Sequence, residues 1–190
     1  MVWILIRGGD GIMTNIRRAL QAAAGVSTGP SEIIVIFTSS TPYVDVYGWD
    51  ATDGFGAKFS DPATLPTGAS QGGDVSHAAD YIAVGMNASP YVQVYPFTAG
   101  GGFGSKYSDP STLPNAGDTS GIAFSKGDDY LAVGNAASPY IYVYPWSASG
   151  FGTMVADPAT LPSGRAYSID FAHDDAEIVM CGSVTPFLHG

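Results

Sequence analysis

The residues able to do chemistry are few and scattered. His77, His173 and His189 lie far apart, and no His, Cys and carboxylate set has the short spacing of a zinc site. The densest acidic group is Asp170, Asp174, Asp175 and Glu177. Two of its members fall in a hairpin-turn sequence, where Asp usually serves the backbone. Asp50-Ala51-Thr52-Asp53-Gly54 lacks the alternating ligands and closing Glu of a calcium loop, and reads as a turn. Gly100 to Gly104 is followed by no helix and no Lys-Ser/Thr pair, so it is not a phosphate cradle. No serine has a histidine at a spacing that suggests a triad. The lone Cys181 permits no intrachain disulfide and sits in an apolar run, as a small buried hydrophobe would. Asn87-Ala88-Ser89 is a formal glycosylation sequon, but Pro90 follows it directly. The expectation is no catalytic residue, no metal, no cofactor and no enzymatic activity.

Aromatic residues remain. Tyr and Trp at strand ends can stack on sugars or anchor a protein partner while keeping a polar tip wet. The candidates are Trp49, Tyr142 and Trp146. Packing between sheets is the competing role, because large aromatics mostly serve cores. Tyr142 is the better surface candidate: its equivalents in earlier repeats are Asp45 and Gln93, and such unlike chemistries suggest exposure.

These residues must be positioned by something, and a repeat does it. Gly54 to Pro66, Gly102 to Pro114 and Gly150 to Pro162 are one motif, with Asp61, Asp109 and Asp157 spaced at 48 residues. A second marker falls between them: Thr41-Pro42-Tyr43, Ser89-Pro90-Tyr91, Ser138-Pro139-Tyr140 and Thr185-Pro186-Phe187. A fixed period of this size signals a repeat architecture.

Each period carries four strand signals. Glu32 to Phe37, Tyr81 to Gly85, Tyr130 to Gly134 and Glu177 to Gly182 are apolar and rich in β-branched residues, as for strands covered on both faces. Tyr43 to Tyr47, Tyr91 to Tyr95 and Tyr140 to Tyr144 alternate with period two. A third strand runs near Gly54 to Phe59 and its copies, stopped by Asp-Pro and Leu-Pro. A fourth, such as Gly121 to Ser125, precedes each buried strand through an Asp/Gly turn. The economical solution is a radial array of four-stranded antiparallel sheets, each covering its neighbour. The chain then holds two full blades, 74–106 and 121–155, and two partial ones, about three and a half in all. Closing a four-bladed ring would need a strand lent by Val2 to Ile6. Otherwise exposed edges would invite pairing with another chain, and a homo-oligomer is expected.

Residues 1–30 differ from the array of 31–190. The apolar start, Met1 to Ile6, is too short to span a membrane. From Met13 to Ala24 the pattern is helical: Ile12, Ile16, Ala19, Leu20 and Ala23 share a face, and Gly25 ends it. That apolar face docks either on the chain's own sheet or on a partner, with Ile12, Ile16 and Leu20 as anchors and Arg17 and Arg18 at the rim. A net charge of −10 with seven basic residues leaves no footprint for nucleic acid.

Phe124 to Gly134 resembles the first hairpin of WD40-like β-propellers, and Val46-Tyr47-Gly48-Trp49-Asp50 resembles their Trp-Asp ending. The Gly-His pair of that family is absent. The whole repeat, with Ser-Pro-Tyr, Val-Tyr-Pro-Trp, Gly-Phe-Gly and Ser-Asp-Pro-Ala-Thr-Leu-Pro, resembles propeller repeats of structural proteins of tailed bacteriophages. This likeness implies an all-β, propeller-like fold with a short N-terminal arm and helix. It implies a virion structural role, on capsid or tail, with other virion proteins as partners, host-surface glycans as possible ligands and the N-terminal arm as anchor. The alternative is a cellular propeller scaffold for protein–protein interaction, since propellers host unrelated roles.

Overall fold

The computed structural model describes residues 32–50 and 52–183 with their side chains, and strands 4–7, 13–16, 19–20 and 188–189 as backbone. Every regular element among these is a strand.

β1 (Ile4–Arg7) and β2 (Met13–Ile16) pair antiparallel in a separate two-stranded sheet. Blade one follows as β3 (Ala19–Leu20), β4 (Glu32–Phe37), β5 (Val44–Asp50) and β6 (Gly54–Lys58). Blade two is β7 (Ser70–Val75), β8 (Tyr81–Met86), β9 (Val92–Thr98) and β10 (Gly102–Phe103). Blade three is β11 (Thr119–Phe124), β12 (Tyr130–Asn135), β13 (Ile141–Ser147) and β14 (Gly150–Phe151). Blade four has three strands among the described residues, β15 (Ala166–Phe171), β16 (Ile178–Gly182) and β17 (Leu188–His189).

Two expectations are corrected here. The amphipathic stretch from Met13 to Ala24 does not form the expected helix where it is described. Met13–Ile16 pairs with Ile4–Arg7, and Ala19 and Leu20 pair with Ile33 and Glu32. A helix this short is marginal without a docking site, whereas strand pairing satisfies the backbone of β4 that would otherwise be an open edge. Blade one is therefore four-stranded, not partial, and the hydrophobic start lends its strand to a hairpin and not to blade four. The proline markers behave alike in the three described copies. Thr41-Pro42, Ser89-Pro90 and Ser138-Pro139 are cis, and Tyr43, Tyr91 and Tyr140 follow with φ near +70°.

The core lies between blades. Ile33, Val35, Phe37, Val44 and Val46 of blade one pack on Val75, Ile82, Val84, Tyr95 and Phe97 of blade two. Ala83, Val92 and Val94 of blade two pack on Phe124, Leu131, Tyr144 and Trp146 of blade three. Smaller contacts of Ala123 and Ala132 with Ile169 join blades three and four. The inner strands of successive blades run so close that only glycine fits at their contacts. A Cβ on Gly72 would strike the carbonyl oxygen of Ser120, and one on Gly134 would meet the Ala166 Cβ at 2.8 Å. Asp74 adds a polar tie, accepting the buried Phe124 amide at 2.8 Å across the junction.

Candidate functional site

The acidic residues do structural work. Asp128 and Asp175 occupy the left-handed position of their hairpin turns, with φ of 57° and 59°. Each reaches back to the preceding blade. Asp128 accepts the amides of His77 and Ala78 at 2.7 and 2.9 Å. Asp175 accepts those of Lys126 and Gly127 at 2.7 and 3.1 Å. Asp174 accepts the Ala176 amide, and Asp170 that of Phe171. The acidic group picked out in sequence is thus spread over turn and junction contacts. Asp50 accepts the amides of Thr52 and Asp53, which hold its carboxyl below the usual range, as a turn residue and not a calcium ligand. Among the described residues no three His, Cys, Asp or Glu converge on a possible metal position.

Tyr142 and Trp146 are both buried, each only 4% exposed, which corrects the surface role expected of them. The variable position lies between blades for Gln93 and Tyr142, which are buried, and on the uncovered face of blade one for Asp45, which is half-buried; each polar group finds a partner there. The Asn115 amide donates to the Tyr142 hydroxyl at 2.8 Å, the Tyr95 hydroxyl donates to Gln93 Oε1, and Lys58 pairs with Asp45 at 2.7 Å. Lys58 also pairs with Asp61, and the two carboxylates push its pKa upward. Burial raises the hydroxyl pKa of Tyr142, and raises those of Tyr95 and Tyr144 further.

Trp49 is only half-buried. It belongs to a three-ring unit that recurs in each full blade. In blade one Phe55 lies edge-on to Trp49 at 5.3 Å and to Tyr47 at 6.0 Å. In blade two Phe103 does the same to Phe97 and Tyr95, at 5.3 and 5.8 Å. In blade three Phe151 does so to Trp146 and Tyr144, at 5.0 and 5.4 Å. Blades two and three receive a fourth ring from the blade before. Phe59 sits edge-on to Phe97 at 5.1 Å, and Tyr107 to Trp146 at 5.0 Å. Blade one receives none among the described residues, and its Phe55 is 58% exposed. Phe55 was not singled out in the sequence, although the Gly-Phe-Gly marker carried it.

Blade four leaves the opposite kind of face open. Cys181 stands where blades two and three have Gly85 and Gly134, each pressed on the next blade. It is exposed, against the buried role expected of it, because no described blade follows. Of the proposed anchors, Ile16 lies in β2 opposite Ile4, and Leu20 in β3 opposite Glu32. Ile12, Arg17 and Arg18, and the Thr185-Pro186-Phe187 marker, lie outside the described residues.

No family model and no curated protein matches the chain. Solved structures do. The β-propeller domain of Cps50 (Swd1) from Myceliophteria thermophila matches with a TM-score of 0.53 at 13% identity, over 82% of this chain and 51% of that one. A chain of the mitotic checkpoint complex matches with a TM-score of 0.52 at 13% identity, over 78% of this chain and 40% of that one. The chain thus spans about half or less of the length of the solved chains it resembles. Its fold is that of part of a β-propeller.

Proposed function

We propose that this chain is a non-catalytic scaffold for protein–protein interaction, working through the faces that its partial propeller leaves uncovered. One observation carries the reading. The same aromatic unit is sealed by a neighbouring blade in blades two and three and stands open in blade one, with Phe55 58% exposed. Open apolar faces of this kind mark interaction sites. One similar chain belongs to a structure named for a multiprotein complex, which agrees with such a role. The burial of Tyr142 and Trp146 weakens the case for glycan adhesion, since two of the three aromatics offered for it are out of reach.

A virion structural role is a narrower form of the same reading, supported by the likeness of the repeat to phage proteins. Purification of the chain from its native source, with cross-linking, tests both. The expected result is a protein partner at fixed stoichiometry, cross-linked to blade one or blade four. Partners that are particle proteins favour the virion form. Recovery as an inert monomer, or a hydrolytic activity lost on Asp170→Asn or Asp174→Asn, overturns the scaffold.

A further inference from the structure

We propose that the open face of blade one binds an extended segment of a partner protein, of the kind this chain lays on itself: an aromatic residue, then Ser-Asp-Pro, then Thr-Leu-Pro. The inference rests on the scaffold reading for the class of partner, and on the repeat for everything else.

The repeat shows the complex twice. At the junction of blades one and two, Phe59 of Phe59-Ser60-Asp61-Pro62 is the fourth ring on Phe97. At the junction of blades two and three, Tyr107 of Tyr107-Ser108-Asp109-Pro110 is the fourth ring on Trp146. The incoming ring rests over the glycine that opens the outermost strand. A Cβ on Gly102 would meet Phe59 at 3.8 Å, and one on Gly150 would meet Tyr107 at 3.3 Å. Gly54 is the same glycine in blade one, with the same positive φ, and a Cβ there would meet none of the described residues within 4 Å. Among the described residues the seat is formed and empty: three rings in the same edge-on arrangement, and open space where the fourth belongs.

The rest of the segment has its contacts too. Downstream of Tyr107, the Thr112 carbonyl accepts the Tyr144 hydroxyl at 2.9 Å, and the Asn115 amide donates to the Tyr142 hydroxyl at 2.8 Å. Blade one keeps a tyrosine, Tyr47, at the position of Tyr144, so the carbonyl contact is available. It has Asp45 at the position of Tyr142, a carboxylate that Lys58 holds at 2.7 Å and whose remaining lone pairs can accept the amide. A second copy of this chain is a poor source of the segment. Its Phe59 and Tyr107 are already engaged, and the third copy of the motif carries Val155 in their place. The β2 strand of the N-terminal hairpin packs mainly against β7 and β4, the inner strands, and not mainly against the outer strands that carry Trp49 and Phe55.

The test uses the full chain and a ten-residue peptide with the sequence of residues 106–115, Lys-Tyr-Ser-Asp-Pro-Ser-Thr-Leu-Pro-Asn. Titration calorimetry, or the shift of the Trp49 indole resonance, should show saturable binding. Phe55→Ala, at an exposed position, should weaken it tenfold or more, as should Trp49→Ala. The peptide with alanine for its tyrosine should lose binding to the unaltered chain, a control that no folding defect can mimic. No saturable binding at millimolar peptide overturns the proposal, as does equal binding of the alanine peptide. A chain that dimerises without peptide, and stops doing so in Phe55→Ala, also overturns it and assigns the face to a second copy. None of these failures touches the scaffold reading if native cross-links map to blade four.

Discussion

The carboxylate of Asp128 in blade three accepts the backbone amide of His77 in blade two at 2.7 Å, across 51 positions of sequence. Its second oxygen takes the neighbouring Ala78 amide, and Asp175 repeats the device one blade on. Hairpin turns of adjacent blades are thereby tied by charge-assisted bonds. Asp128→Ala should destabilise the fold by about 1–3 kcal/mol, the worth of hydrogen bonds to a largely shielded charge. Asp129→Ala, at the exposed next position, should stay within about 0.5 kcal/mol. Urea midpoints of the two variants give the comparison.

Glycines at the junctions are fixed by space. Gly72→Ala would push a methyl into the Ser120 carbonyl, backbone against backbone, and should cost about 3 kcal/mol or more. Gly100→Ala, with nothing within 4 Å, should be near neutral. Thermal melts that rank the two alike would contradict the packing described.

Stability should fall at alkaline pH. Burial raises the hydroxyl pKa values of Tyr95 and Tyr144 above the ordinary 10.0. Above about pH 10 the unfolded chain releases these protons while the folded chain still holds them, so the unfolded state gains. The contribution is fully present below that pH and is lost as pH rises towards the folded values. Tyr144→Phe should reduce this alkaline loss, and should cost about 1 kcal/mol at neutral pH through the bond to Thr112. Denaturation curves from pH 7 to 11 supply the check.

Cys181 should react in the native state. It is exposed on the open face of blade four. A thiol reagent should titrate one group per chain without denaturant, and addition of denaturant should release no further thiol.

The indoles of Trp49 and Trp146 should differ although they hold equivalent positions. In a Trp3→Phe background, Trp49 should be quenched by acrylamide and Trp146, 4% exposed, should be protected. Equal quenching would mean that blade three is not sealed by Tyr107.

The period, the strands and the all-β fold are legible in the residues alone. Local chemistry repeated at fixed spacing is enough for these, because proline, glycine and alternating valines act on their own backbone. The sequence misjudged the stretch Met13 to Ala24, whose residues suit a helix face but are recruited where β4 needs a strand at Ala19–Leu20. It also could not separate Trp49 from Trp146, or Cys181 from Gly134. Each pair shares one place in the repeat, and the difference lies in whether another blade covers that place. Burial belongs to the assembled array and not to the residue. For the same reason the clamps of Asp128 and Asp175, and the empty seat over Gly54, appear only once the blades are stacked.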